Sequence, residues 1–143
     1  MKQVSDLLNR KGRDVWSLPP DATVYEAIDL MAQKGVGALL VMEGERLVGI
    51  VSERDYARKV ILKGKASRET QVHEIMSNPV ICARPELTVE QTMALMTDKR
   101  VRHLPVVVDE RVVGVISIGD VVRAIIDDKE FDIQQLTNYI TRG

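Results

Sequence analysis

Apolar positions along this chain follow two spacings that alternate in the same order twice. After Thr23 the spacing is helical, with Val24, Ala27, Ile28 and Met31 on one face, and it returns at Val89, Met93, Leu95 and Met96. Each stretch opens on a capping-box signal, Thr23-Val24-Tyr25-Glu26 and Thr88-Val89-Glu90-Gln91. In that motif the hydroxyl and the N3 side chain satisfy each other's end-of-helix backbone donors. Gly35 is the expected stop of the first helix. Two short β-branched runs follow each helix. Ala38-Leu39-Leu40-Val41-Met42 and Leu47-Val48-Gly49-Ile50-Val51 flank the polar turn Glu43-Gly44-Glu45-Arg46. Leu104-Pro105-Val106-Val107-Val108 and Val112-Val113-Gly114-Val115-Ile116 flank Asp109-Glu110-Arg111. Both read as hairpins. A second helix is expected from about Ser52 and again from Ser117. A short extended piece precedes each first helix, at Asp14-Val15-Trp16-Ser17 and at Pro79-Val80-Ile81-Cys82.

The order is duplicated because the sequence is. Moving Thr23–Ile61 forward by 65 positions lays it on Thr88–Ile126 without a gap, with 16 of 39 residues identical. The predicted fold is α/β, two pseudo-twofold-related repeats, each a small β-sheet with two helices in βαββα order. Residues 1–13 read as an N-terminal segment, 14–70 as the first repeat and 71–128 as the second. Residues 63–70 form a polar linker, and Val72-His73-Glu74-Ile75-Met76 is expected to make one helical turn. Residues 129–143 read as a C-terminal amphipathic helix with Phe131, Ile133, Leu136, Tyr139 and Ile140 as its stripe, which needs a cover from further protein or a second subunit.

Composition narrows the function by exclusion. At 143 residues, 45% hydrophobic and 29% charged, the chain has the size and balance of one globular domain. A net charge of −1 gives no global attraction to nucleic acid or to an anionic membrane. No apolar run approaches the roughly 18 residues that cross a bilayer, and the first residues lack the apolar stretch of a secretion signal. Cys82 is the only cysteine, which excludes an internal disulfide and suits a reducing compartment, read here as the cytoplasm. His73 and His103 have no partners at metal-ligand spacing, and no glycine-rich phosphate loop occurs. No nucleophile with a recognisable base stands out, so no catalytic residue is assigned and an enzyme is not expected.

The duplicated pattern resembles a tandem pair of CBS domains (cystathionine beta-synthase type), often called a Bateman module. The likeness rests on Val36-Gly37-Ala38-Leu39-Leu40-Val41 and Val101-Arg102-His103-Leu104-Pro105-Val106. To these it adds Leu47-Val48-Gly49-Ile50-Val51-Ser52-Glu53-Arg54-Asp55 and Val112-Val113-Gly114-Val115-Ile116-Ser117-Ile118-Gly119-Asp120. It covers about residues 14–127. The resemblance implies a three-stranded sheet and two helices per repeat, with the repeats paired face to face. It also implies a homodimer, and adenine-containing ligands (AMP, ADP, ATP or NAD(H)) bound without catalysis in clefts between the repeats. By that resemblance Asp55 and Asp120 accept from ribose hydroxyls, and Ser52 and Ser117 approach phosphate. A carboxylate does offer two acceptor oxygens to a vicinal diol, although Ser-x-x-Asp is equally a capping box that requires no ligand.

The differences between copies carry the site reading. Arg54 aligns with Gly119, Arg102 with Gly37 and His103 with Ala38. By the resemblance each cleft joins one repeat's Ser-x-x-Asp to the other's strand, so Arg54 and Asp55 are expected to meet Arg102 and His103 in one basic cleft. Gly119 and Asp120 then meet Gly37 and Ala38 in a small-lined, open one. Two guanidinium groups on one cleft suit a phosphate between them, though surface arginines are commonly only solvated. The resemblance also implies that Lys11 and Trp16 lie over the open cleft, for phosphate and for a ring of an adenine or NAD-type ligand, with Trp16 as core filler the alternative. Ile81, Val101 and Val36 complete the ligand-lining set. The function expected is an adenine-nucleotide sensor acting through an unidentified effector protein. A ligand-free dimerisation module is the alternative, and a small nucleotide enzyme ranks last.

Overall fold

A computed structural model describes residues 2–128; the expected C-terminal amphipathic helix, 129–143, lies outside them. The described chain runs α1 (Val4–Lys11), β1 (Ser17–Leu18), α2 (Val24–Lys34), β2 (Ala38–Glu43), β3 (Arg46–Ser52), α3 (Glu53–Tyr56), α4 (Val89–Lys99), β4 (His103–Val108), β5 (Arg111–Ser117) and α5 (Ile118–Asp128). A π-helical turn at Ala57–Ile61 extends α3, and a 3₁₀ turn at Val72–Glu74 stands between the repeats.

Both first helices start as their capping boxes dictate. The Thr23 hydroxyl accepts from the Glu26 amide at 3.1 Å while the Thr23 amide donates to the Glu26 carboxylate at 3.2 Å, and Thr88 and Gln91 repeat the exchange. Gly35 ends α2 in the left-handed conformation, with φ 65°. Val24, Ala27 and Met31 bury the inner face of α2; Val89, Thr92 and Met96 bury that of α4. Thr92 is fully buried yet satisfied, its hydroxyl donating to the Thr88 carbonyl at 2.7 Å.

The sheets depart from the expected symmetry at one residue. In the first repeat β1 pairs parallel with β2, and β2 antiparallel with β3. In the second, β4 and β5 form the same antiparallel hairpin, but the third strand shrinks to a single parallel bridge, Ala83 to Val106. The Leu40 amide donates to the Trp16 carbonyl at 3.1 Å in the first repeat. Pro105 stands at the equivalent place and has no N–H to give.

Two hydrophobic cores result, and each is closed by the arm that precedes the other repeat in the sequence. Val72 and Ile75 pack with Leu39, Val41 and Val51 in the first core. Val4, Leu7 and Leu8 of α1 pack with Leu104, Val106 and Ile116 in the second. The arms dock alike: the Val24 amide donates to the Thr70 carbonyl at 2.8 Å, and the Val89 amide to the Lys2 carbonyl at 3.0 Å. Gln71 bridges Thr23 and Gln3 bridges Thr88. Each arm also lies against a strand glycine, Met76 on Gly49 and Leu8 on Gly114, where an added Cβ would fall 2.4 Å and 2.6 Å from them.

Candidate functional site between the repeats

Both Ser-x-x-Asp motifs fold as helix starts. The Asp55 Oδ2 accepts from the Ser52 amide at 2.9 Å, and the Asp55 amide donates to Ser52 Oγ at 3.2 Å. Asp120 and Ser117 repeat this at 2.7 and 3.2 Å. The next amide of each helix is taken from the strand side, Glu53 N–H by the Gly37 carbonyl at 3.0 Å and Ile118 N–H by the Arg102 carbonyl at 2.8 Å. The capping reading is therefore realised in both copies, and in the second it fixes the Asp120 carboxylate in the wall of a cleft.

One cleft has the crosswise make-up that the alignment predicts. Gly37 and Ala38, from the start of β2, face Ser117 and Asp120, from the end of β5 and the start of α5, across a cavity of about 430 Å³. Lys11 and Trp16 line it as expected, with Val36; Gly12, Asp14, Gly35, Leu40, Ile50 and Val115 complete the walls. The volume lies within the roughly 300–1,000 Å³ of small-molecule sites. Lys34 Nζ sits 4.3 Å from the centre of the Trp16 ring, so a cation already covers one face of the indole. Gly119, placed in this cleft by the alignment, is exposed and not among its lining residues.

His103 corrects the sequence reading. The alignment puts it in the basic cleft beside Arg102, but it lines the open one, its ring 3.6 Å from where a Cβ on Gly37 would lie. Adjacent residues on extended chain point to opposite sides, so Arg102 and His103 cannot share a cleft. Burial lowers the His103 pKa below its usual 6.5, and the nearby Lys11 and Arg102 charges reinforce this against the pull of Asp120. The imidazole is thus neutral at neutral pH.

Lys11 also differs from expectation. Its ammonium donates to Asp120 Oδ2 at 2.7 Å and to the Val115 carbonyl at 2.9 Å, so it occupies the carboxylate instead of waiting for an anion. Burial works to raise the Asp120 pKa, but the hydrogen bonds from Lys11 and the Ser117 amide, with the Lys11 charge, outweigh it and hold the carboxyl below 3.8.

On the other side Arg54 and Arg102, from different repeats, are both exposed, and among the described residues neither has an ion-pair partner. The charges of Arg58 and then Arg102 hold the Arg54 pKa below the ordinary arginine value, against the pull of Asp55, so Arg54 sits among like charges from both repeats. Asp55 at its edge pairs with Lys59 at 3.1 Å, and Lys59 also donates to the Ile75 carbonyl at 2.9 Å. Ile81 and Val101 are half-buried and pack on the second core. Arg58 was missed in the sequence, although its spacing four residues after Arg54 places both on one helix face.

The profile of the CBS domain matches residues 4–62 and 72–127. The chain belongs to the CBS domain family. As a tandem CBS pair it is 43% identical over 150 residues to the CBS domain-containing protein CBSX3, mitochondrial, of Arabidopsis thaliana, spanning 98% of this chain and 72% of that one. A putative signal-transduction protein with CBS domains from Burkholderia ambifaria superposes with a TM-score of 0.87 at 46% identity, covering 90% of this chain and 96% of the other. The CBS domain pair of protein MJ0100, solved in complex with 5′-methylthioadenosine and S-adenosyl-L-methionine, superposes with a TM-score of 0.80 at 26% identity, covering 90% and 99%. Among the described residues of this CBS pair, no helix is long and apolar enough to cross a membrane and no group of side chains is placed to hold a metal ion.

Proposed function

We propose that this CBS pair is an adenine-nucleotide-binding regulatory module that works without catalysis. The observation that carries the reading is the crosswise cleft, in which Ser117 and Asp120 of one repeat face Gly37, Ala38 and Trp16 of the other. An adenosine ligand there has an aromatic wall, a carboxylate for its ribose diol and room for its ring. The nucleoside-bearing ligands of the related MJ0100 pair support the same chemical class. The Arg54, Arg58 and Arg102 cluster supplies a second place for the phosphates of AMP, ADP or ATP, since clustered guanidinium groups gain most from a bridging anion. NAD(H) fits the proposal as a ligand with both an adenosine and a second ring.

A ligand that touches both repeats stabilises only the arrangement it fits, and so shifts the population toward it. The output passes to an effector protein or through a homodimer; neither nucleic acid nor membrane is a partner in this reading. The single cysteine is consistent with a reducing compartment such as the cytoplasm. Mass spectrometry of the purified protein, followed by calorimetry with AMP, ATP and NADH, tests the proposal. A copurifying adenine ligand or micromolar binding is expected. No ligand and no heat with any of the three would leave the ligand-free dimerisation module, which the two complete capping boxes already permit.

A further inference from the structure

Lys11 is the one residue whose placement changes what the cleft can accept. It closes α1, and the next residue, Gly12, has φ 101° and ψ 173°, a conformation open essentially only to glycine. The chain turns sharply after the lysine, and the ammonium reaches across to the second repeat, onto Asp120 and the Val115 carbonyl. Lys11 and the Ser117 amide both donate to the same oxygen, Asp120 Oδ2. A ribose diol that takes both carboxylate oxygens must displace the lysine. The cost of displacement then depends on the ligand. A neutral nucleoside leaves the ammonium without a counter-ion beside the half-buried His103, with only the Val115 carbonyl as acceptor. An anionic ligand gives the ammonium a new counter-ion.

We infer that Lys11 is a specificity-determining residue that exchanges Asp120 for the ligand's anionic group, penalising neutral nucleosides and admitting nucleotides. This rests on the proposal that the cleft binds adenosine-type ligands. The exchange makes the carboxylate available only to ligands that compensate the lysine, so the apparent affinity of every other ligand falls with the fraction of molecules in which Lys11 has left. It also reaches the fold, because Lys11 is one of three cations near α1 that pair with α5. Lys2 meets Asp128 at 3.1 Å and Arg10 meets Asp127.

Trp16 is the sole tryptophan and lines this cleft, so its fluorescence reports binding there and not at the arginine cluster. The test titrates adenosine and AMP into the wild-type chain, Lys11→Met and Lys11→Arg. Lys11→Met is expected to bind adenosine about fivefold more tightly and to lose at least tenfold of the AMP-over-adenosine preference, while Lys11→Arg keeps that preference. Unchanged or weaker adenosine binding by Lys11→Met overturns the exchange, and so does an unchanged preference. No response of any of the three proteins to either compound overturns the nucleoside reading itself, an outcome distinct from the others because a failed exchange leaves binding intact.

Discussion

Arg102 shows how one side chain acquires meaning from its counterpart. The residue at the same place in the first repeat is Gly37, whose missing side chain opens the cavity; an added Cβ there would lie 3.2 Å from a Glu53 carboxylate oxygen. The guanidinium that replaces it is exposed and lies close enough to Arg54 for the two charges to repel; Arg58 adds to the repulsion on Arg54, and Asp55 offsets only part of it. Removing one charge from such a trio relieves repulsion in the free protein and also removes part of the anion's grip. Both effects lower affinity for phosphate. Arg102→Ala is expected to weaken ATP binding more than tenfold in calorimetry, with the loss shrinking as salt rises, because exposed charges are screened within about 10 Å at 0.1 M. Equal ATP affinity for variant and wild type would assign Arg102 to the solvated surface.

The arms decide stability at the scale of elements. Leu8 is about 1% exposed and lies over Gly114, while Met76 lies over Gly49 in the equivalent contact. Alanine at either glycine drives a methyl into an occupied space, and overpacking of this kind costs roughly 1–3 kcal/mol. The two sites differ in what must yield. Met76 offers an unbranched, adaptable thioether, whereas Leu8 is branched and sits on α1, which must shift as a unit. Gly114→Ala is therefore expected to destabilise the protein by about 2 kcal/mol, and Gly49→Ala by less, in urea unfolding. Equal losses would mean that α1 moves as freely as a methionine side chain. These arms also mark where the sequence was hard to read. Gln3-Val4-Ser5-Asp6-Leu7-Leu8 matches Gln71-Val72-His73-Glu74-Ile75-Met76, but at an offset of 68 rather than 65. A gapless comparison passes over it, and residues 1–13 then read only as an N-terminal segment although α1 fills the second core.

Apart from α1, the helices, the hairpins and the crosswise cleft were legible at the scale of the whole molecule because capping boxes, β-branched runs and a strict duplication each state a local preference that the fold obeys. What escaped were contacts between distant residues and side-chain directions: Lys11 on Asp120, 109 residues apart, and His103 turned away from Arg102. That misplaced histidine makes the joint between repeats sensitive to acid. It faces Gly37 and Glu53 of the first repeat, and Lys11, Asp120 and Arg102 around the second. Burial and neighbouring cations keep its folded pKa under 6.5, so the unfolded chain takes up a proton at a pH where the folded chain does not. Stability is unaffected by this group above about pH 6.5, falls as the pH drops from there to the folded pKa, and levels off below it. Asp120 acts in a separate window, since its lowered pKa stabilises the fold above 3.8 and that contribution is lost only as the pH falls through the folded value. Urea midpoints at pH 7.5 and pH 5.5 separate the two groups. The wild-type chain is expected to lose stability over that interval and His103→Gln to lose less, with His73 retained in both. An identical drop in the variant would move the acid-sensitive group away from the repeat interface.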